Sequence, residues 1–407
     1  MPETARRDDA LTATPAQPRL PSLTGLRFPA AVLVFLYHAS LLIPTIAVLG
    51  YGPAGTRYAE IARDLGAFGV EFFFVLSGFV LTWSARWQDT PGAFWRRRFV
   101  KIYPNYAVAW GLAMLLFAAA TTPAWSATLN LFMLQVWVPD FDTYFAVNPP
   151  GWSLGAEAFF YASFPLLLGL IRRIPAPALK FWIAGVLTFI AASPFLAYTF
   201  LSETPNVPGG LDSSSLQYWL VYVLPISRLA DFALGILVAR AVLAGRWRNI
   251  GVLPSLLVMA AAIGLAQFVP YLYAQRSMGA LPAVLLVAAA AAADVRGTRT
   301  GFSAPVAVWL GDRSFAFYLL HFIVITQGLE IIRDVTRISE FTVPQAILVL
   351  IGLAATTVAL SAVLYAVLER PATRRWASRR KIPQQASADA REVLRPHESR
   401  PTERTRQ

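Results

Sequence analysis

Cysteine is absent from the 407-residue chain. No disulfide, thiolate metal site or cysteine nucleophile is therefore open to it. Histidine is scarce too: there are three, and His397 lies in a polar C-terminal stretch. Imidazole chemistry in the folded part falls to His38 and His321. Asp, Glu, Lys and Arg together make up only 14% of the residues, against about 25% in soluble domains. The sequence has no P-loop, dinucleotide glycine fingerprint, nucleophile elbow or HExxH helix at a usable position. Classical kinase, hydrolase and zinc-peptidase chemistry are excluded. No internal repeat is evident.

What is present is apolar. Hydrophobic residues make up 56% of the chain, with 27 Phe, 14 Tyr and 12 Trp. This excludes a disordered chain, a coiled coil and an ordinary soluble enzyme. A bilayer core about 30 Å thick needs about 20 apolar helical residues to cross it. The apolar runs predict an all-α transmembrane bundle, a polytopic fold with ten spans near 22–43, 66–85, 103–121, 152–172, 180–200, 216–242, 250–270, 278–294, 313–333 and 343–368. A further stretch, 125–138, is short.

Net charge is +12, and half of it lies between Glu369 and Gln407. Basic clusters follow alternate spans: Arg86 with Arg96, Arg97, Arg98 and Lys101; Arg172, Arg173 and Lys180; Arg240, Arg246 and Arg248; Arg296 and Arg299; then the tail. Positive loops stay cytoplasmic, so both termini are expected inside. A full crossing by 125–138 would put the later clusters outside. It is read as a re-entrant or interfacial element and is the place where an eleventh span would arise. The expected organisation is a cytoplasmic tail over 1–21, a membrane domain over 22–376 and a basic, disordered cytoplasmic tail over 377–407. The first hydrophobic run is read as an uncleaved span, not a signal peptide, because Arg27 interrupts it and no clean cleavage pattern follows. The basic excess is assigned to topology and anionic lipid, with no nucleic-acid partner expected.

Charges inside a bilayer cost about 2.5–3.5 kcal/mol each on insertion scales. Each needs a partner or a task. Arg27 and His38 are eleven residues apart, so they share one helix face about 16 Å apart along the axis. Ser153, Glu157 and Tyr161 form an i, i+4, i+8 polar stripe behind the interfacial anchor Trp152. Arg228 and Asp231 are placed to pair within one helix. Ser314, Tyr318 and His321 share another polar face, where His321 is either a second catalytic imidazole or a hydrogen-bonded helix lock. Glu71 is expected to stay solvated near the outer end of its span, and Gly69 and Gly78 allow close helix packing or a backbone approach to ligand.

The motifs LTGLR(x10)H, GAFGVEFFFVLSGF, RRRFVKIYP, NPPGWSLGAEAFFY, RLADFALGILVAR, GDRSFAFYLLHF and VLERPA, in that order, resemble the acyltransferase-3 family of integral membrane O-acyltransferases. The resemblance runs over about residues 20 to 376. It implies transfer of an acyl group, often acetyl, from acyl-CoA (a co-substrate, with no permanently bound cofactor and no metal) to a hydroxyl, commonly on a carbohydrate. The family's Arg/Lys-x10-His pair falls on Arg27 and His38. Its Arg-x-x-Arg element falls on Arg98 and Lys101, so Lys replaces the second Arg and two-pronged phosphate recognition is weakened there. Its Trp-Ser-Leu…Glu element falls on Trp152, Ser153 and Glu157.

On this reading His38 is the general base, and Arg27 orients the donor or stabilises charge on the thioester oxygen. Glu157 orients His38 or binds the acceptor, and Arg97, Arg98 and Lys101 hold the CoA phosphates. Trp152, Ser153, Tyr161, Arg228, Ser314, Tyr318 and His321 are acceptor-binding or supporting residues. The sequence has no SGNH-type hydrolase domain, so a smaller acceptor is expected over a cell-surface polymer. The opening segment resembles the branch that acylates macrolides and other secondary metabolites. The expected site is the cell membrane. The residues alone leave two alternatives open: a transporter or lipid-linked sugar flippase, and a structural or sensory protein.

Overall fold

The computed structural model describes residues 18–85, 89–208 and 212–377. The regular elements among them are helical, apart from one isolated bridge between Asn206 and Ser214. The expected disorder beyond Lys381, His397 and the cluster member Arg86 lie outside the described residues.

The helices of six residues or more begin with α1 (Pro21–Ser40), α2 (Pro53–Ala62), α3 (Leu65–Trp83) and α4 (Pro91–Leu116). Next come α5 (Ala124–Leu131), α6 (Gly151–Arg172), α7 (Leu179–Phe200), α8 (Pro225–Leu243) and α9 (Val252–Ala266). The chain finishes with α10 (Tyr271–Arg276), α11 (Ala280–Val295), α12 (Pro305–Thr336) and α13 (Val343–Leu364). Proline opens α1, α2, α4, α8 and α12. Its missing N–H costs nothing in a first turn, and its fixed φ already suits the helix.

A helix lies at each of the ten expected spans. Eight helical stretches among the described residues are long and apolar enough to cross a membrane. Two expected spans fall short. The apolar run of α4 is interrupted by Lys101, Asn105 and two tyrosines, and α9 has only 15 residues, about 22 Å of rise. The expected span at 216–242 is not one helix: it breaks at Leu224, where Pro225 cannot continue the backbone ladder. Residues 125–138 form α5 and a short turn at Gln135–Trp137, and eight helical residues rise only about 12 Å.

The centre of the bundle is α3, packed along α8 on one side and α1 on the other, with α12 on the far side of α1. Two glycines set the first crossing. A Cβ on Gly78 would run into the Phe232 carbonyl, and a Cβ on Gly235 into the Val75 carbonyl. Gly69 likewise lies against the Ala30 carbonyl of α1. The small residues of GAFGVEFFFVLSGF therefore serve close helix packing. At the periphery, Phe181, Trp182, Phe189, Phe195 and Phe200 of α7 and Leu348 and Ile351 of α13 are exposed. Such faces are stable against hydrocarbon chains, which are as apolar as leucine.

Four buried charges form one cluster, and one of them, Glu71, was expected to be solvated. Glu71 is 1% exposed and lies 3.4 Å from Arg276 Nη1. The same nitrogen is 2.5 Å from Asp231 Oδ1, and Asp231 Oδ2 is 3.2 Å from Arg228 Nε. Glu71 is thus desolvated, contrary to the expectation, because α10 folds inward and delivers Arg276. Arg228 pairs within its helix as expected, and its guanidinium also lies over the rings of Phe74 and Tyr222. Four charges cancel in one place, which is how ions persist away from water.

Candidate active site

Helical spacing gathers the expected polar residues. Arg98 and Lys101 are three residues apart on α4 and face the same way. Glu157 and Tyr161 are four apart on α6, and Ser314 and Tyr318 four apart on α12. Where these faces meet α1 and α3 they enclose a cleft of about 130 Å³. Arg27, Arg98, Lys101, Ser153, Glu157, Tyr161, Ser314 and Tyr318 all line it, among apolar residues such as Val80, Ile102 and Phe315. Eight expected site residues, from four segments of sequence, therefore share one cavity.

Inside the cleft, Tyr161 donates a short hydrogen bond to Glu157 Oε1, and Ser77 Oγ donates to the same oxygen at 3.2 Å. Arg98 lies 6.0 Å from the Tyr161 ring centre and 5.7 Å from that of Phe94. The Tyr318 hydroxyl is 2.7 Å from Ser153 Oγ, and the two share the Pro150 carbonyl, at 3.2 and 3.0 Å, so that one donates to the carbonyl and the other to its neighbour. Phe73 and Tyr318 meet edge to face with ring centres 5.9 Å apart, and Tyr318 is 5.8 Å from the His321 ring. Behind that wall lie the two imidazoles.

His38 Nδ1 is 3.0 Å from His321 Nε2 and 3.0 Å from the Val34 carbonyl. His321 Nδ1 is 3.3 Å from the Phe317 carbonyl. Carbonyls only accept, so each Nδ1 must carry its proton. The single His38 Nδ1–H is then shared between the Val34 carbonyl and the His321 Nε2 lone pair, and His38 Nε2 carries no proton. Among neutral tautomers, this one satisfies all three contacts. It leaves His38 Nε2 as an unprotonated nitrogen.

Several expectations need correction. Neither His38 nor His321 lines the cleft. His321, rather than Glu157, occupies the partner position at His38, because α12 lies alongside α1 whereas Glu157 bonds to Ser77 and Tyr161. Arg228 belongs to the buried charge cluster. Trp152 is 4% exposed and packs on Phe74 and Tyr222, so it is not an interfacial anchor. Arg97 turns away from the cleft into a neighbouring one and pairs with Asp89 at 2.9 Å. Sequence reasoning missed Ser77, whose only signal is a hydroxyl between Leu76 and Gly78 on an apolar helix.

A family model described as an acyltransferase domain matches residues 20–366. The chain belongs to the acyltransferase-3 family. Acyltransferase MdmB of Streptomyces mycarofaciens is 36% identical over 93% of this chain and 98% of its own length. Exopolysaccharide production protein ExoZ of Rhizobium meliloti is 27% identical over 78% and 92%. Peptidoglycan O-acetyltransferase OatA of Listeria monocytogenes is 25% identical over 83% of this chain but 53% of its own length. No solved structure matches the chain. The protein is a multi-pass membrane acyltransferase, and the transporter and purely structural alternatives are set aside.

Proposed function

We propose that the protein moves an acyl group, acetyl in the simplest case, from acyl-CoA to a hydroxyl of a carbohydrate or glycosylated secondary metabolite such as a macrolide. One observation carries this reading: a cleft lined by Arg27, Arg98 and Lys101 is bounded by Tyr318, whose ring lies 5.8 Å from the His321 ring that bonds His38. The names of two relatives, a peptidoglycan O-acetyltransferase and an exopolysaccharide production protein, favour a carbohydrate acceptor. The basic clusters favour ten spans with both termini cytoplasmic in the cell membrane, so the donor enters from inside.

In this mechanism the acceptor oxygen attacks the thioester carbonyl carbon while its proton passes to His38 Nε2. Such general-base help is worth about 10²–10⁴ in rate. His321 Nε2 accepts from Nδ1–H of the resulting imidazolium. The tetrahedral intermediate collapses, the C–S bond breaks, and His38 returns the proton to the thiolate sulfur. The products are the ester and free CoA.

Arg27 takes the donor-orienting role of the two expected for it. About three turns of helix separate it from His38, and side chains lean toward the helix N-terminus, away from His38. With Arg98 and Lys101 it holds the anionic donor, and Glu157 offsets their charge.

The test is thiol release from acetyl-CoA by the purified protein, with and without a panel of glycosides. Acceptor-dependent release is expected, and His38→Ala should lower it by about 10²–10⁴ at unchanged abundance. Wild-type turnover by that variant rules out His38 as the base.

A further inference from the structure

A second cavity adjoins the first. It is larger, about 550 Å³, and shares Leu81 and Arg98 as a common wall. Arg97 and Arg98 come from the start of α4 and Arg172 from the end of α6. All three line it, together with Asp89. Arg172 was read only as a topology marker. Its place in a cavity with two other guanidiniums is a different matter, since planar guanidinium forks suit phosphate oxygens. A wide basic chamber beside a narrower, largely apolar cleft, with Leu81 and Arg98 between them, matches a ligand with a bulky polyanionic head and a thinner arm.

We propose that this second cavity holds the nucleotide end of the acyl-CoA donor, with Arg172 as a phosphate-binding residue. We further propose that Asp89 is an internal rival of the phosphates for Arg97. The inference rests on the acyl-CoA reading above. The pantetheine arm passes Leu81 and Arg98 into the first cleft. Asp89 accepts a 2.9 Å ion pair from Arg97, and both side chains are about one-fifth exposed. A phosphate entering the chamber exchanges with that carboxylate. The Asp89–Arg97 pair therefore competes with the phosphates and weakens donor binding in doing so.

The experiment compares acetyl-CoA with S-acetylpantetheine, which lacks the nucleotide and its phosphates, using the full-length protein in lipid nanodiscs. Loss of one charge-assisted contact costs about ten- to a hundredfold in binding. Arg172→Ala is expected to raise KM for acetyl-CoA by that factor and to shrink the preference for acetyl-CoA over S-acetylpantetheine equally. Asp89→Asn is expected to move the preference the other way, by about fivefold, as for a partly exposed ion pair. A misfolded variant cannot produce that gain. An unchanged preference in both variants overturns the inference and leaves the acyl-CoA reading standing. Wild-type protein that turns over neither donor overturns both.

Discussion

His38 on α1 and His321 on α12 meet with Nδ1 and Nε2 3.0 Å apart. The pair resembles the base and orienting acid of a hydrolase triad in one respect only, that the second group fixes which nitrogen of the first is free. In the proposed mechanism His321 is a positioning residue, acting on the reaction through His38.

His321→Ala is expected to lower kcat by about tenfold or more while leaving KM for the acyl donor in place, because the lost contact orients the base and touches no donor atom. His321→Gln, whose side-chain oxygen can accept from His38 Nδ1–H, should recover part of the loss. Steady-state kinetics on the two variants check this. Equal kcat in wild type and alanine variant would mean that the histidine contact only packs helices.

The Lys at position 101 gives a second test. A single ammonium stands there, with none of the planar fork of a guanidinium. Lys101→Arg is expected to keep turnover and lower KM for acetyl-CoA severalfold, whereas Lys101→Met should raise it about tenfold through loss of a charge-assisted contact. An unaltered KM in the Met variant removes Lys101 from the donor site.

Asp231 accepts ion pairs from two fully buried arginines. Asp231→Ala leaves Arg276 and Arg228 short of negative charge, and breaking a buried pair costs about 3–5 kcal/mol. A lowered thermal midpoint of the detergent-solubilised protein is expected. An unchanged midpoint would show that Glu71 alone suffices to compensate both guanidiniums.

At the α3–α8 crossing, Gly235→Ala is expected to destabilise by about 1–3 kcal/mol or more through overpacking. Gly352→Ala provides the control, since a Cβ there meets nothing within 4 Å. The thermal midpoints of the two variants should separate clearly.

Much of this was legible from residues alone. Hydrocarbon thickness dictates helix length, so the apolar runs located a helix at every expected position. Helical spacing likewise brought Arg27, Glu157, Tyr161 and Ser314 to one side of their respective helices, and those sides do form a common cavity. The failures share a cause: they depend on contacts between segments far apart in the chain. Arg276 sits between two apolar runs and reads as a loop residue, yet α10 turns it into the core to meet Glu71. Trp152 has the composition of an anchor, but the break before Pro225 brings Tyr222 onto it. Nothing local distinguishes Glu157 from His321 as the neighbour of His38; the packing of α12 beside α1 decides it.

The choice of imidazole as partner has a consequence for life in a bilayer. A carboxylate in that position would place a permanent anion deep among apolar helices and demand a cation beside it. Two neutral rings demand nothing. In the proposed mechanism charge separates at this pair only while a proton is in transit, so the two rings need no counter-ion between turnovers.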